Sequence, residues 1–262
     1  MFELAGYEGR KRVKGSVALA VGMSALVALY VAMFPSVSSS VDLDEYVRAF
    51  PPALREAFGV ATLSTIEGFL ATEVYAFGWV LLLGLYFAYA AAGLVAGDVE
   101  RGRMDLLLSL PVTRSRVVSE KFLSLLVPIA VLNAVVPVAV YAGTALVDDP
   151  ISIADLVAVH ALSVPYLLST ASVGLLASVV FDRESVAQRV ALAALFGLFL
   201  VDTAVANTDY AWLGALAPMR YYDPTAVLVE GTYDLAGAAI LLASTLVLVG
   251  VSELWFAGRD VR

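Results

Sequence analysis

Apolar residues in this chain come in long, nearly uncharged runs. Six of them, at residues 16–34, 74–97, 122–147, 156–181, 188–206 and 235–254, carry almost no charge. About 20 residues of helix cross the hydrocarbon core of a bilayer, so each run predicts a membrane-spanning helix. The fifth is the weakest, because Asp202 interrupts it near one end. Continuous runs favour helices over barrel strands, whose apolar and polar residues alternate. The expected fold class is all-α: one polytopic helix bundle over residues 1–262 with six transmembrane helices.

The segments between the runs carry their own signals. Residues 1–15 mix Phe2, Leu4 and Tyr7 with Glu3, Glu8 and a basic cluster from Arg10 to Lys14. That mixture suits a short interfacial helix leading into the first span, or a solvated basic tail. The first run exceeds the core of about 7 to 15 residues found in a signal peptide, so a retained anchor is expected. Pro51 and Pro52 break the stretch at 35–73, and Leu54 and Phe58 after them suggest a helix lying against the membrane surface. Residues 207–234 hold Tyr210, Trp212, Tyr221 and Tyr222 but are broken by Gly214, Pro218 and Pro224. They predict two short outer helices with aromatic rings at headgroup level.

Composition agrees with this picture. With 262 residues, 15% of them charged, and a mean hydropathy of +0.87, the chain has more apolar surface than a soluble fold of its size can bury. The positions of Lys and Arg then set the orientation. With both termini cytoplasmic, 13 of the 16 basic residues fall on the inner side, as the positive-inside rule expects. The outer segments carry 14 acids against Arg48, Arg55 and Arg220, a net charge of -11. Such a face repels nucleic acid and suits a high-salt, halophilic setting in which screening makes dense acid tolerable.

Several kinds of chemistry have no residues to support them. Without cysteine there is no disulfide, thiolate metal site or cysteine nucleophile. Lys11, Lys14 and Lys121 are the only lysines and none ends a Gly-rich phosphate loop, so the chain is not expected to hydrolyse ATP. His160 is the only histidine, which argues against a paired-histidine zinc protease, and no Gly-framed nucleophilic serine occurs. No catalytic, metal or cofactor-binding residue is expected.

Polar groups inside spans are costly in lipid and so are informative. Asn133 sits mid-span between Pro128 and Pro137, placed to satisfy a proline-freed carbonyl or a neighbouring helix, or alternatively to meet a substrate. His160 is expected at the interface. Gly93 and Gly97, with Ala88 and Ala92, form a small-residue face suited to close helix packing.

The charged segment 98–121 lies between the second and third spans. Met104, Leu107 and Leu108 fall at i, i+3 and i+4, so a short helix starting near Asp98 presents an apolar ridge among Glu100, Arg101, Arg103 and Asp105. Pro111 stops it, and Thr113 or Ser115 can cap the next helix. A helix tied this way to two crossing helices converts a push from a soluble partner into tilting of both.

Glu100, Gly102, the run from Leu106 to Leu108, Pro111, Arg114 and Lys121 resemble the Glu-x-Gly-Thr, Leu-Leu, Pro-x-x-Arg, Gly-Lys signature of ABC-2-type transporter permeases. Arg103 stands where threonine is usual and Glu120 where glycine is common. The six crossings, the basic N-terminal segment and the Trp255 to Asp260 ending are similar to that family as well. The resemblance implies a permease subunit of an exporter, paired with a second permease subunit and with cytoplasmic ATPase subunits that hold ATP and Mg. Segment 98–121 would be the cytoplasmic coupling loop, with Glu100, Gly102, Met104, Leu107, Leu108, Pro111 and Arg114 meeting the ATPase. Permeases of this short kind serve nitrous-oxide reductase maturation, ion efflux or drug efflux. The rival reading is a membrane scaffold or sensor recruiting a cytoplasmic partner through the same loop.

Overall fold

The computed structural model describes residues 3–40, 62–109, 111–206 and 208–259, together with positions 45, 47, 49 and 51. The surface helix expected after Pro52 lies outside the described residues. No strand occurs among them, and six helices are long and apolar enough to cross a membrane.

The first helix, α1, runs unbroken from Glu3 to Ser40. At 1.5 Å per residue it is about 57 Å long, well beyond a hydrocarbon core. Residues 3–15, where a short helix leading into the first span is expected, continue into that span without a break, since no proline interrupts the chain before Pro35. Ala20, Met23, Val27, Val31 and Phe34 recur at three- and four-residue steps and form its buried stripe. Val17, Val21, Leu29 and Met33 stay exposed on the other faces, as lipid-facing residues would.

The second crossing is a composite rod: α2 (Ile66–Leu70), a π-helical stretch (Ala71–Leu83) and α3 (Gly84–Ala92). It starts eight residues before the run at 74–97, because Thr65 caps it by accepting a bond from Gly68 N (3.2 Å). Ala71, Tyr75, Trp79, Leu83, Phe87 and Ala91 are all buried, at a strict four-residue interval. On an α-helix that interval drifts by about 40° per turn. The wider π turns drift the opposite way, so the two halves together keep the stripe on one face.

After a turn at Gly93–Val95 come two short helices, α4 (Ala96–Glu100) and α5 (Arg103–Leu108). The third crossing is α6 (Arg114–Leu123) continued by α7 (Leu126–Leu146). The break at Ser124 and Leu125 has a cause: Pro128 has no N–H to return to the Ser124 carbonyl. Segment 98–121 is thus less of a loop than expected, since α6 already occupies its last third.

The fourth crossing, α8 (Ile153–Val180), is the centre of the molecule, packing against α3, α7, α9 (Glu184–Val205) and α11 (Leu235–Ala257). In its most apolar 18-residue window 72% of residues are buried, against 17% in α9 and 22% in α11. The last two helices therefore keep broad apolar faces for lipid or for another chain. Gly174 of α8 lies so near the Ala88 carbonyl of α3 that no side chain fits between them.

Between α9 and α11 lie two 3-10 turns (Ala211–Leu216 and Pro218–Tyr221) and α10 (Pro224–Leu228), where two short helices were expected. Asp223 caps α10 through Thr225 N (2.8 Å) and Ala226 N (3.1 Å), with Pro224 in the first helical position. Trp212 and Leu216 are exposed, whereas Tyr222 is buried against Tyr166 with ring centroids 5.4 Å apart.

Candidate functional site

Charged side chains converge at one end of the bundle, where α4, α5 and α6 meet the first turn of α1 and the turn between α8 and α9. Gly102 makes the corner between α4 and α5 with φ at 65°, a left-handed conformation in which glycine avoids the Cβ clash. Two buried charges pin that corner. Lys121 of α6 donates to Asp98 Oδ2 at 2.5 Å, and Arg103 Nη2 meets Asp98 Oδ1 at 2.8 Å. Lys121 and Asp98 are 3% and 8% exposed, so each charge depends on the other for its solvation.

Neighbouring backbone ends are satisfied in the same way. Ser178 Oγ of α8 accepts from Val95 N (2.9 Å) and Ala96 N (3.0 Å), capping α4. Glu120 accepts from Leu4 N (2.9 Å), Ala5 N (3.1 Å) and Arg116 Nε (2.6 Å), so a carboxylate on α6 caps the start of α1. A cleft of ≈ 210 Å³ lies beside it, with Leu4, Tyr7, Leu107 and Val117 among its walls.

Glu100 Oε2 accepts from Glu184 N at 2.8 Å, at the first turn of α9, and Arg101 Nη1 meets Glu184 Oε2 at 2.7 Å. Arg114 donates to the Arg259 carbonyl. Arg259 in turn bonds Val179 O and Asp182, both at 2.5 Å. The end of α11 is thereby tied to the turn between α8 and α9. With Leu4 and Arg259 both in this cluster, the two ends of the described chain lie at the same end of the bundle.

These positions alter the expected ridge. Met104 is fully buried and Leu107 half-buried against the core, so both anchor α5 to its own bundle. The outward face is instead Leu106, 71% exposed, with Arg103 and Asp105. A two-turn helix lying on a bundle must bury one side, and its most apolar side wins. Pro111 is exposed, and Leu108 lies on α5.

The small-residue face is also more specific than helix packing alone. A Cβ on Gly93 would meet Glu184 Oε1 at 2.7 Å, and one on Gly97 would meet Glu184 Oε2 at 2.8 Å. The two glycines make room for a carboxylate, while Ala88, Ala92 and Ala96 pack on Ala187, Ala191 and Leu195 of α9.

Asn133 lies at a second polar cluster, inside the bundle. Its amide donates to Ile129 O (2.9 Å), a carbonyl that no proline has freed. Its Oδ1 lies 3.1 Å from His160 Nδ1 and accepts from Ser163 Oγ at 3.0 Å. Since Oδ1 accepts, Nδ1 of His160 carries the proton and Nε2 accepts from the Tyr75 hydroxyl at 3.0 Å. His160 is 4% exposed and held between helices, and Trp79 packs on it edge-on at 4.8 Å. Hydropathy does not reveal this network, because its members come from three crossings.

Asp98, Glu120, Lys121, Ser178, Glu184 and Arg259 hold the charged end together, and no local pattern in the sequence assigns them that role. The one signal was a Glu120-Lys121 pair set against an apolar run. Among the described residues no cluster of His, Asp and Glu could hold a metal ion.

Comparison with known proteins returns no match among curated proteins. A family profile described as "ABC-2 family transporter protein" matches residues 4–261, which is essentially the whole chain. Six apolar crossings and a charged, helix-containing junction between the second and third agree with that match, and the chain belongs to the ABC-2 transporter family.

Proposed function

We propose that the chain is the permease subunit of an ABC-2-type exporter, driven by separate cytoplasmic ATPase subunits that bind ATP and Mg. The observation that carries this reading is α5. It is a short helix with an exposed face of Arg103, Asp105 and Leu106, fixed by Met104 and the Asp98 pairs to the ends of the second and third crossings. A push on such a helix cannot be absorbed locally, because its anchors are buried and charged. It must tilt the crossings, which is how a two-state bundle is switched.

In this reading the charged end faces the cytoplasm with both termini, and the acidic end, with its 3-10 turns, lies outside. Two permease chains meet through the apolar faces left on α1, α9 or α11, and an amphipathic substrate or lipid is expelled as the ATPases close. Glu100, Gly102, Pro111 and Arg114 shape and anchor the docking segment, whose direct contact is the Leu106 face.

Purification from the native host in mild detergent, followed by mass spectrometry, tests the assignment. A stoichiometric ATPase subunit is expected. Leu106→Asp should abolish permease-stimulated ATP hydrolysis while leaving the bundle folded. An intact membrane protein that never carries an ATPase would replace this reading with the scaffold or sensor.

A further inference from the structure

The buried face of α9 is built mainly from alanine. Its three buried side chains, Ala187, Ala191 and Leu195, lie on the alanines of α3 and α4, with Leu85, Phe181 and Met219 at the border of the contact, and α9 also packs along α8. An alanine-on-alanine contact has no deep interdigitation, so one helix slides on the other without forcing side chains through new rotamers. Polar contacts hold α9 at its two ends. At the acidic end Asp202 lies 3.6 Å from Arg220. At the charged end Glu100 takes the Glu184 N–H, and Arg101 takes its carboxylate.

The groove that receives Glu184 belongs to the same chain segment. Gly93 and Gly97 flank the turn into α4, and Gln188 Nε2 holds the other carboxylate oxygen at 3.3 Å. The residues that position α5 on one side and grip α9 on the other are thus adjacent, at positions 98 to 101. Displacement of α5 turns this segment and drags the end of α9 with it, while the alanine face offers little resistance along the crossing.

Resting on the permease reading above, we infer that Glu184, gripped by Glu100 and Arg101, is the relay through which the docking segment moves the fifth crossing. Glu184 is a positioning residue, acting through α9 and touching neither nucleotide nor substrate. Glu100, expected to meet the ATPase, has a second role in this clamp.

The chain contains no cysteine, so paired spin labels can be placed at introduced cysteines with no native cysteine to remove. Val138 of α7 and Phe196 of α9 are both exposed and suit the purpose. Labelled permease, diluted with unlabelled permease, is assembled with its ATPase subunit, and the label separation is measured without nucleotide and with ATP and vanadate. The wild-type separation should shift with nucleotide. Glu184→Ala and Arg101→Ala should each lose most of that shift while still carrying the ATPase at wild-type stoichiometry. The exchanged pair Arg101→Glu with Glu184→Arg should regain part of it.

A full shift in either single variant overturns the relay, as does a wild-type α9 that stays still while the ATPase is bound. If Glu184→Ala fails to fold, Arg101→Ala decides, since that side chain is half-exposed. Absence of any ATPase on the wild-type permease refutes the permease reading instead, a result the stoichiometry reports separately.

Discussion

Removing the Asp98 carboxylate is the sharpest test of how the docking segment is held. In the Asp98→Ala variant, Lys121 keeps its charge with a side chain only 4% exposed, and Arg103 loses its partner at 2.8 Å. Breaking a buried pair from one side costs about 3–5 kcal/mol, because the remaining ion is neither hydrated nor paired. Asp98 retains 12% side-chain exposure, which admits some water and places the cost toward the lower end of that range. For a protein of this size, about 3 kcal/mol corresponds to a fall in melting temperature of roughly 6–12 °C. Thermal unfolding in detergent, followed by gel filtration or tryptophan fluorescence, reads that fall directly. The paired variant Asp98→Leu with Lys121→Met removes both charges and should return close to wild type, since apolar replacement of a buried pair is often neutral. The rim pair between Arg101 and Glu184 provides the scale: its side chains are 48% and 27% exposed, and its loss should cost about 1 kcal/mol or less. A single variant melting within about 2 °C of wild type, or a paired variant no better than the single, refutes the reasoning.

Three further outcomes are expected. Asn133→Ala leaves the His160 Nδ1–H short of an acceptor, while the Ser163 hydroxyl keeps the His160 carbonyl at 2.7 Å, and the loss should cost about 1–3 kcal/mol in thermal unfolding without changing ATPase stimulation. Loss of stimulation in a folded Asn133→Ala protein would point to substrate contact instead. Gly174→Ala drives a methyl group into the Ala88 carbonyl and should destabilise by about 1–3 kcal/mol, whereas Gly22→Ala, which meets nothing, should be neutral in the same melting assay. The acidic outer segments predict that detergent-solubilised protein melts higher in molar KCl than at low salt, and a fall in melting temperature with added salt would remove the halophilic reading.

The parts of the fold that depend on local pattern were legible in the sequence. Six apolar runs marked six crossings, Pro111 marked the end of α5, and Thr113, one of two candidate caps with Ser115, is the residue that caps α6. What was not legible depends on contacts between distant residues. Whether Met104 faces a partner or its own bundle is decided by what lies beneath α5, and a two-turn helix carries too little periodicity to say. Glu120 gave no sign that it caps the start of α1, because the two residues whose N–H groups it satisfies are 115 and 116 positions away. The four-residue interval from Ala71 to Ala91 is hidden in the sequence, because an apolar run shows no contrast by which to pick out the buried face or to separate π from α turns. Glu184 lies at the start of the fifth crossing, where an acidic residue is an ordinary first-turn choice, and only the glycines facing it reveal its use.

The π-helical stretch also governs which changes in chain length the protein can tolerate. A residue removed from an α-helical crossing rotates everything beyond it by about 100° relative to what came before. Removal from α3 would therefore swing Asp98, Glu100 and Arg101 away from Lys121 and Glu184 at once. Within Ala71–Leu83 the wide turns already hold more residues than an α-helix needs, so one deletion there tightens the rod and leaves the downstream register nearly intact. A single-residue deletion scan, read by folded yield, should find its tolerated positions inside that stretch and few in α3 or α4. Length variation among natural relatives would then concentrate in the second crossing ahead of Gly84, an uncommon place for a membrane protein to gain or lose a residue.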